Sequence, residues 1–185
     1  RLFAGIALDD AVRAACEDVL DALRRTGFAA KFEEGNKLHV TLAFLGNVED
    51  TRYGDVVAAM NAAAAHCAPF AATLDKVGAF PHERKPRIIY VGAREQGASF
   101  RALSAKLRSE FTQLGFSFND DAVAHVTIAR VKDPHRPLPL IDIAPVRLPV
   151  TALTLFESIF DKEKNTSRYV ASATSDLSAS AANEA

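Results

Sequence analysis

The chain has no tryptophan, one methionine and two cysteines among its 185 residues. Cys16 and Cys67 lie far apart and form no Cys-x-x-Cys unit. That argues against a disulfide scaffold and suits a reducing cytoplasm. Cys16 sits among Ala15, Val19 and Leu20 on an expected helix face, where a thiol behaves as a small buried apolar group. Excess charge of either sign is also missing. The 22 Lys and Arg nearly balance the 23 Asp and Glu, for a net charge of -1. A broadly basic nucleic-acid binder is excluded, so a polyanionic partner must be held by a local patch or only by its end. No apolar run approaches the roughly 18–20 residues of a membrane helix. The opening RLFAGIALDD lacks the apolar stretch and cleavage site of a signal peptide and reads as a first strand. Residue 1 is Arg and not Met, which leaves room for a short leader before it. Together these features predict a cytoplasmic protein without a membrane partner, and no protein partner is evident.

Nearly half of the residues are apolar, including 12 Phe. That suffices for a core without disulfides or metals, in one domain or two small packed lobes. Apolar spacing predicts strands over 2–8, around LHVTLAFL, near 70–80 and 87–91, around HVTIAR, and near 151–159 and 168–174. Helices are expected after a cap at Asp9 or Asp10, over about 50–66, and after a cap at Ser99, with Gly27 and Gly115 ending the first and third. Residues 116–118 form a short segment, 132–149 a proline-rich loop, and DKEKNTS a hairpin turn. The small, polar tail from Ser175 onward is expected to be disordered. Two related α+β lobes follow from this order of elements.

The decisive pattern is written twice. Residues 39–43 read His-Val-Thr-Leu-Ala and residues 125–129 read His-Val-Thr-Ile-Ala. On a strand, residues two apart share a face. His39 with Thr41, and His125 with Thr127, therefore look one way, while Val40, Leu42 and Phe44, like Val126 and Ile128, look toward the core. Two such strands facing a cleft supply two imidazoles and two hydroxyls. One neutral histidine can take a proton from a water and one protonated histidine can give a proton to a leaving oxygen. The threonine hydroxyls can donate to phosphate oxygens. Arg130 is the cation at hand to offset developing negative charge. Regular alternation, however, points Arg130 away from Thr127 unless the strand ends or bulges near Ala129. An exposed strand-end arginine and a cleft arginine both stay open for it. The scheme needs no metal. A zinc site is the weaker reading, because the histidines lack Cys, Asp or Glu companions at ligand spacing.

HVTLAFLG and HVTIAR resemble the paired His-x-Thr signatures of the two-histidine (2H) phosphoesterase superfamily. RLFAGIAL, GAFPHERKPRIIYVG, LTLFES and the late YV resemble its bacterial LigT-type branch, the RNA 2′,3′-cyclic phosphodiesterases also called 2′-5′ RNA ligases. The resemblance implies a bilobal α+β fold over residues 1–174, with mainly antiparallel sheets flanking a central cleft and helices on the outer faces. It implies His39 as proton donor, His125 as proton acceptor, and Thr41, Thr127 and Arg130 as phosphate-binding residues, with no cofactor. The implied substrates are RNA 3′ ends or small nucleotides carrying a 2′,3′-cyclic phosphate, hydrolysed to a 2′-phosphate. A 2′-5′ ligase using the same site, or a nucleotide-binding module without catalysis, are the alternatives. Phe32 stands where relatives often have Trp, which bears on base stacking or on packing alone.

Other residues attract blander readings. His66 reads as a helix-end histidine and His135 as a loop residue without a role. PHERKPR, with His82, is the densest basic cluster, a solvated loop able to steer a phosphate backbone toward the cleft. KLRSEF reads as an exposed helix face, and Phe44 as core.

Overall fold

The computed structural model describes residues 1–33, 35–132, 134–162 and 166–179. The chain runs through β1 (Leu2–Ala7), α1 (Asp10–Arg25), β2 (Lys31–Phe32), β3 (His39–Gly46), α2 (Tyr53–Ala65), β4 (Phe70–Leu74), β5 (Lys76–Phe80), β6 (Ile88–Gly92), α3 (Ala98–Gln113), β7 (His125–Arg130), β8 (Val146–Val150), β9 (Ala152–Asp161) and β10 (Thr166–Asp176). Single turns of 3₁₀ helix occupy Gly35–Lys37 and Asp50–Arg52.

Local chemistry accounts for most boundaries. Asp9 caps α1, its Oδ1 accepting the Val12 N–H at 2.9 Å, and Gly27 follows the helix end at φ 68°. Such a left-handed residue costs glycine nothing. Val12, Cys16, Val19, Leu20 and Leu23 form the buried stripe of α1. The expected cap Ser99 instead lies inside α3, whose N-cap is Gly97 with no side-chain hydrogen bond. The strand expected near 70–80 divides at Asp75, whose N–H donates to Gly92 O at 2.9 Å. The expected loop 132–149 contains the start of β8. In the expected turn DKEKNTS, residues 163–165 lie outside the described residues.

Eight strands form one sheet, ordered β10-β9-β1-β3-β7-β6-β5, with β2 also paired to β7, while β4 and β8 form a separate pair. All registered pairings are antiparallel. The α+β class and the two lobes are present, and the lobes' strands join into one continuous sheet. β1-α1-β3 and β6-α3-β7 are its matching halves, each an antiparallel strand pair spanned by a helix. They meet where Val40 pairs with Val126, the single registered pair between β3 and β7. Helices cover one face: α1 packs on β7 and β8, α2 on β9 and β10, and α3 on α2 and β3. Val40, Val126, Leu42 and Ile128 are fully buried. Among the described residues, no helix is long and apolar enough to cross a membrane.

Both central strands carry a bulge at the same place. Along β1, Ala4 pairs with Ala43 but Gly5 with Thr41, so Leu42 is the extra residue. Along β6, Ile89 pairs with Ala129 but Tyr90 with Thr127, so Ile128 is the extra residue. A bulge puts two residues against one and resets alternation. Accordingly, β3 and β7 share one burial pattern over six residues: half-buried His, buried Val, half-buried Thr, two buried apolar residues, then an exposed one. The interrupted ladder leaves carbonyls to satisfy. Arg108 Nε donates to Leu42 O at 2.9 Å, and the Glu33 N–H donates to Ile128 O at 2.8 Å. Arg108 is thus not an idle member of an exposed face; its guanidinium also lies over the Phe118 ring, 5.2 Å from the ring centre.

The expected disordered tail begins too early. Ser175 and Asp176 belong to β10, Leu177 is buried, and the Leu177 N–H donates to Thr151 O at 2.8 Å. The Ser178 and Ala179 N–H groups also donate, to Ala64 O and Cys67 O, each at 3.3 Å. Residues 180–185 lie outside the described residues.

Gly5 lies where β1 meets the bulged strand, and a methyl group there would overlap the Val40 carbonyl oxygen. Gly5→Ala is expected to destabilise the fold by about 1–3 kcal/mol, as overpacking does. Urea unfolding checks this, and an unchanged midpoint would contradict the close approach.

Candidate active site

One cavity of about 160 Å³ opens on the face away from the helices. His39, Thr41, His125, Thr127 and Arg130 all line it. Antiparallel pairing at Val40–Val126 explains why: alternation sends the residue on each side of either valine to the opposite face. All five residues expected from the two motifs therefore come together.

The bulges settle two orientations. Arg130 lies beyond Ile128, so its parity is reset and it joins the histidines. Phe44 lies beyond Leu42 and is likewise turned outward: it is 58% exposed and lines the cavity. Its expected core position is therefore corrected. Phe44 and Arg130 occupy the same sixth position of the two copies. The run Leu42-Ala43-Phe44-Leu45 carried a signal for this, since four successive apolar residues break simple alternation.

Each imidazole is oriented by the same local device. His39 Nδ1 contacts Lys37 O at 2.7 Å and His125 Nδ1 contacts Val123 O at 2.8 Å, in both cases two residues earlier. A carbonyl can only accept, so Nδ1 carries the hydrogen and Nε2 is left for chemistry. His39 Nε2 lies 2.9 Å from Thr41 Oγ1. Rings fix the planes. Phe3 and Phe156 lie at 4.7 and 5.5 Å from His39, with Tyr169 edge-on at 5.3 Å. Phe80 and Tyr90 lie at 5.2 and 5.6 Å from His125.

Burial lowers the pKa of both histidines. For His39 the Lys37 carbonyl and the Glu33 carboxylate oppose the shift, while His125 and Arg130 add to it. For His125 the Val123 carbonyl and Asp120 oppose it. Glu33, Lys37 and Tyr169 line the cavity and were missed by motif reading. Glu33 holds the Arg130 Nε at 3.0 Å, and Lys37 Nζ donates to Thr166 Oγ1 at 2.8 Å. Tyr169 pairs with Ser158 across β9–β10, and burial raises its pKa. Glu33 and Lys37 lie just before β3, outside the repeated motif, and Tyr169 comes from distant β10, where the late YV hinted at it. Phe32 packs against the core beneath the Arg24 guanidinium, 5.0 Å from its ring centre.

Elsewhere, Cys16 and Cys67 are free thiols, and burial pushes Cys16 up to about 12. His66 closes α2, its Nδ1 2.7 Å from Ala62 O, as a helix-end histidine should. Among the described residues no group of three His, Cys, Asp or Glu could hold a metal ion.

Residues 9–159 match the 2′-5′ RNA ligase superfamily. The chain belongs to this superfamily. Within it, the chain is 32% identical over 132 residues to an RNA 2′,3′-cyclic phosphodiesterase of Archaeoglobus fulgidus, covering 71% of this chain and 73% of that protein. It is 32% identical over 145 residues to one of Thermus thermophilus, covering 72% and 70%. The crystal structure of TT0787 from Thermus thermophilus superposes with a TM-score of 0.84 at 27% identity, covering 96% of this chain and 97% of that one. The Escherichia coli LigT apo structure shares the fold at a TM-score of 0.77 and 24% identity, covering 97% and 98%.

The sign of the histidine shifts sets a pH response. Unfolded histidines titrate near pH 6.5, above their lowered folded values, so the unfolded chain binds more protons in acid. Their contribution is complete above about pH 6.5 and is lost as pH falls through that value toward the folded ones. A His39→Gln/His125→Gln double variant should lose less stability than wild type between neutral and acid pH, as read by urea unfolding at each pH. Parallel losses would contradict the burial argument.

Proposed function

We propose that this superfamily member hydrolyses 2′,3′-cyclic phosphates at RNA 3′ ends or on small nucleotides, giving 2′-phosphates. The observation that carries this reading is the convergence of both His-x-Thr pairs on one cavity, with each Nδ1 engaged by a carbonyl. His125 Nε2 takes a proton from water as its oxygen bonds to phosphorus. The P–O3′ bond breaks, and His39 Nε2 gives its proton to O3′. Thr41 and Thr127 donate to the non-bridging oxygens, and Arg130 offsets the charge gathering there. The Glu33 carboxylate partly offsets the lowering of His39 by burial. The names of the similar proteins agree with this substrate. The scheme uses no metal, and two free thiols accord with a cytoplasmic setting. Ligation to a 2′-5′ bond opens the same ring with an RNA hydroxyl in place of water.

His39→Ala and His125→Ala should each lower hydrolysis of a 2′,3′-cyclic nucleotide by about 10²–10⁴-fold, the span of general acid–base catalysis. Near-normal turnover by either purified variant would end the two-histidine mechanism. Wild-type turnover should survive excess EDTA and show a bell-shaped dependence of kcat/KM on pH. Because burial lowers both histidines, its limbs should centre on the acid side of neutral.

A further inference from the structure

The cavity is small. At about 160 Å³ it falls below the roughly 300–1,000 Å³ of ordinary small-molecule pockets, so it suits the reacting phosphate and its ribose. The remainder of any RNA must lie on the surface outside. We propose that the RNA leading into the cavity crosses loop 81–87 and the adjoining loop residues 131–132 and 134–138, whose cations hold its sugar-phosphate backbone. This inference rests on the hydrolase reading above and extends it to the longer substrate.

The loops adjoin the site. Phe80 pairs with Ile88 and Ile88 with Arg130, so the three side chains form a row across the sheet on the cavity face. The Phe80 ring reaches back to His125 at 5.2 Å. This row is a partly apolar floor leading out of the cavity past Arg130. Both loops start where it ends, and main-chain bonds tie them together: Arg87 N–H to Phe80 O at 2.8 Å, Val131 N–H to Arg87 O at 2.9 Å, and Leu138 N–H to Glu83 O at 2.8 Å. Segments far apart in sequence thereby become one surface.

That surface is basic in a chain that is not. Arg84, Lys85, Arg87, Lys132 and Arg136 are all exposed. Against them the two segments hold Glu83 and Asp133, the latter outside the described residues. A phosphate backbone is the complementary partner for such a surface. The competing exit runs along β9–β10, where Phe160 is 57% exposed and shares the face of Ser158, which lines the cavity. Asp161 and Lys162 adjoin it, so charge favours the loops.

The test compares a 2′,3′-cyclic mononucleotide with an RNA of about ten nucleotides ending in the same group, a length that reaches beyond a cavity of this size. Variant Arg84→Gln/Lys85→Gln/Arg87→Gln/Arg136→Gln should keep mononucleotide kcat/KM within about twofold of wild type, which also verifies its fold. For the RNA its KM should rise at least tenfold. The plot of log(kcat/KM) against log salt should flatten by about 0.7 for each phosphate that the variant no longer neutralises. Anisotropy of a labelled RNA ending in a 2′-phosphate reads the same track without turnover. Weaker binding by the variant supports the track even if wild type fails to hydrolyse cyclic phosphate, a result that would overturn only the hydrolase reading. Unchanged RNA KM, salt slope and binding in the variant would overturn the track. So would a loss confined to Phe160→Ala.

Discussion

The site depends on one contact, the pairing of Val40 with Val126. It is the only registered pair between β3 and β7, and both side chains are fully buried. With the valines committed to the helix-covered face, their neighbours have no choice but the open one. The antiparallel sense does the rest, setting His39 and His125 at opposite ends of a short crossing. A longer ladder would zip β3 and β7 together and remove the cleft. β2 takes over pairing with β7 at Ala129 and Arg130, so the strands separate without leaving that edge bare.

Around that crossing, backbone groups set the direction of the cavity's side chains. The carbonyls of Lys37 and Val123 aim the imidazoles, and the two bulges aim Phe44 and Arg130. A buried carbonyl left unsatisfied costs about 1–3 kcal/mol. Arg108 and the Glu33 N–H meet those costs at Leu42 and Ile128. The Glu33 side chain meanwhile pairs with Arg130. A single residue therefore both supports the bulge and restrains the arginine that the bulge exposes.

How much of this was legible follows from where the information lies. Alternation and repetition placed His39, Thr41, His125 and Thr127 on one face, because each pair is two residues apart on one strand. Helical periodicity and Gly27 located α1. What escaped lies outside the repeated motif or depends on broken alternation. The fate of Arg130 turned on a bulge, which sequence allowed but did not require, and Phe44 was misplaced for the same reason. Tyr169 reaches the cavity only through sheet assembly, while Glu33 and Lys37 stand just before β3, outside the repeated motif. The stretch around Leu177, whose composition reads as tail, is held by that buried side chain together with strand pairing and main-chain bonds to Thr151, Ala64 and Cys67.

The shared sixth position carries a further consequence. Up to Ala43 and Ala129 the two strands present nearly interchangeable halves, related as by a two-fold axis through the Val40–Val126 pair. A ribonucleotide, the proposed ligand, has no such axis. The frame alone therefore has no polarity, and a ligand could be accepted in either direction. Phe44 on one side and Arg130 with Glu33 on the other break that degeneracy. Directionality thus belongs to substitutions on a duplicated scaffold, and the scaffold can stay unchanged while its sense of orientation is rewritten.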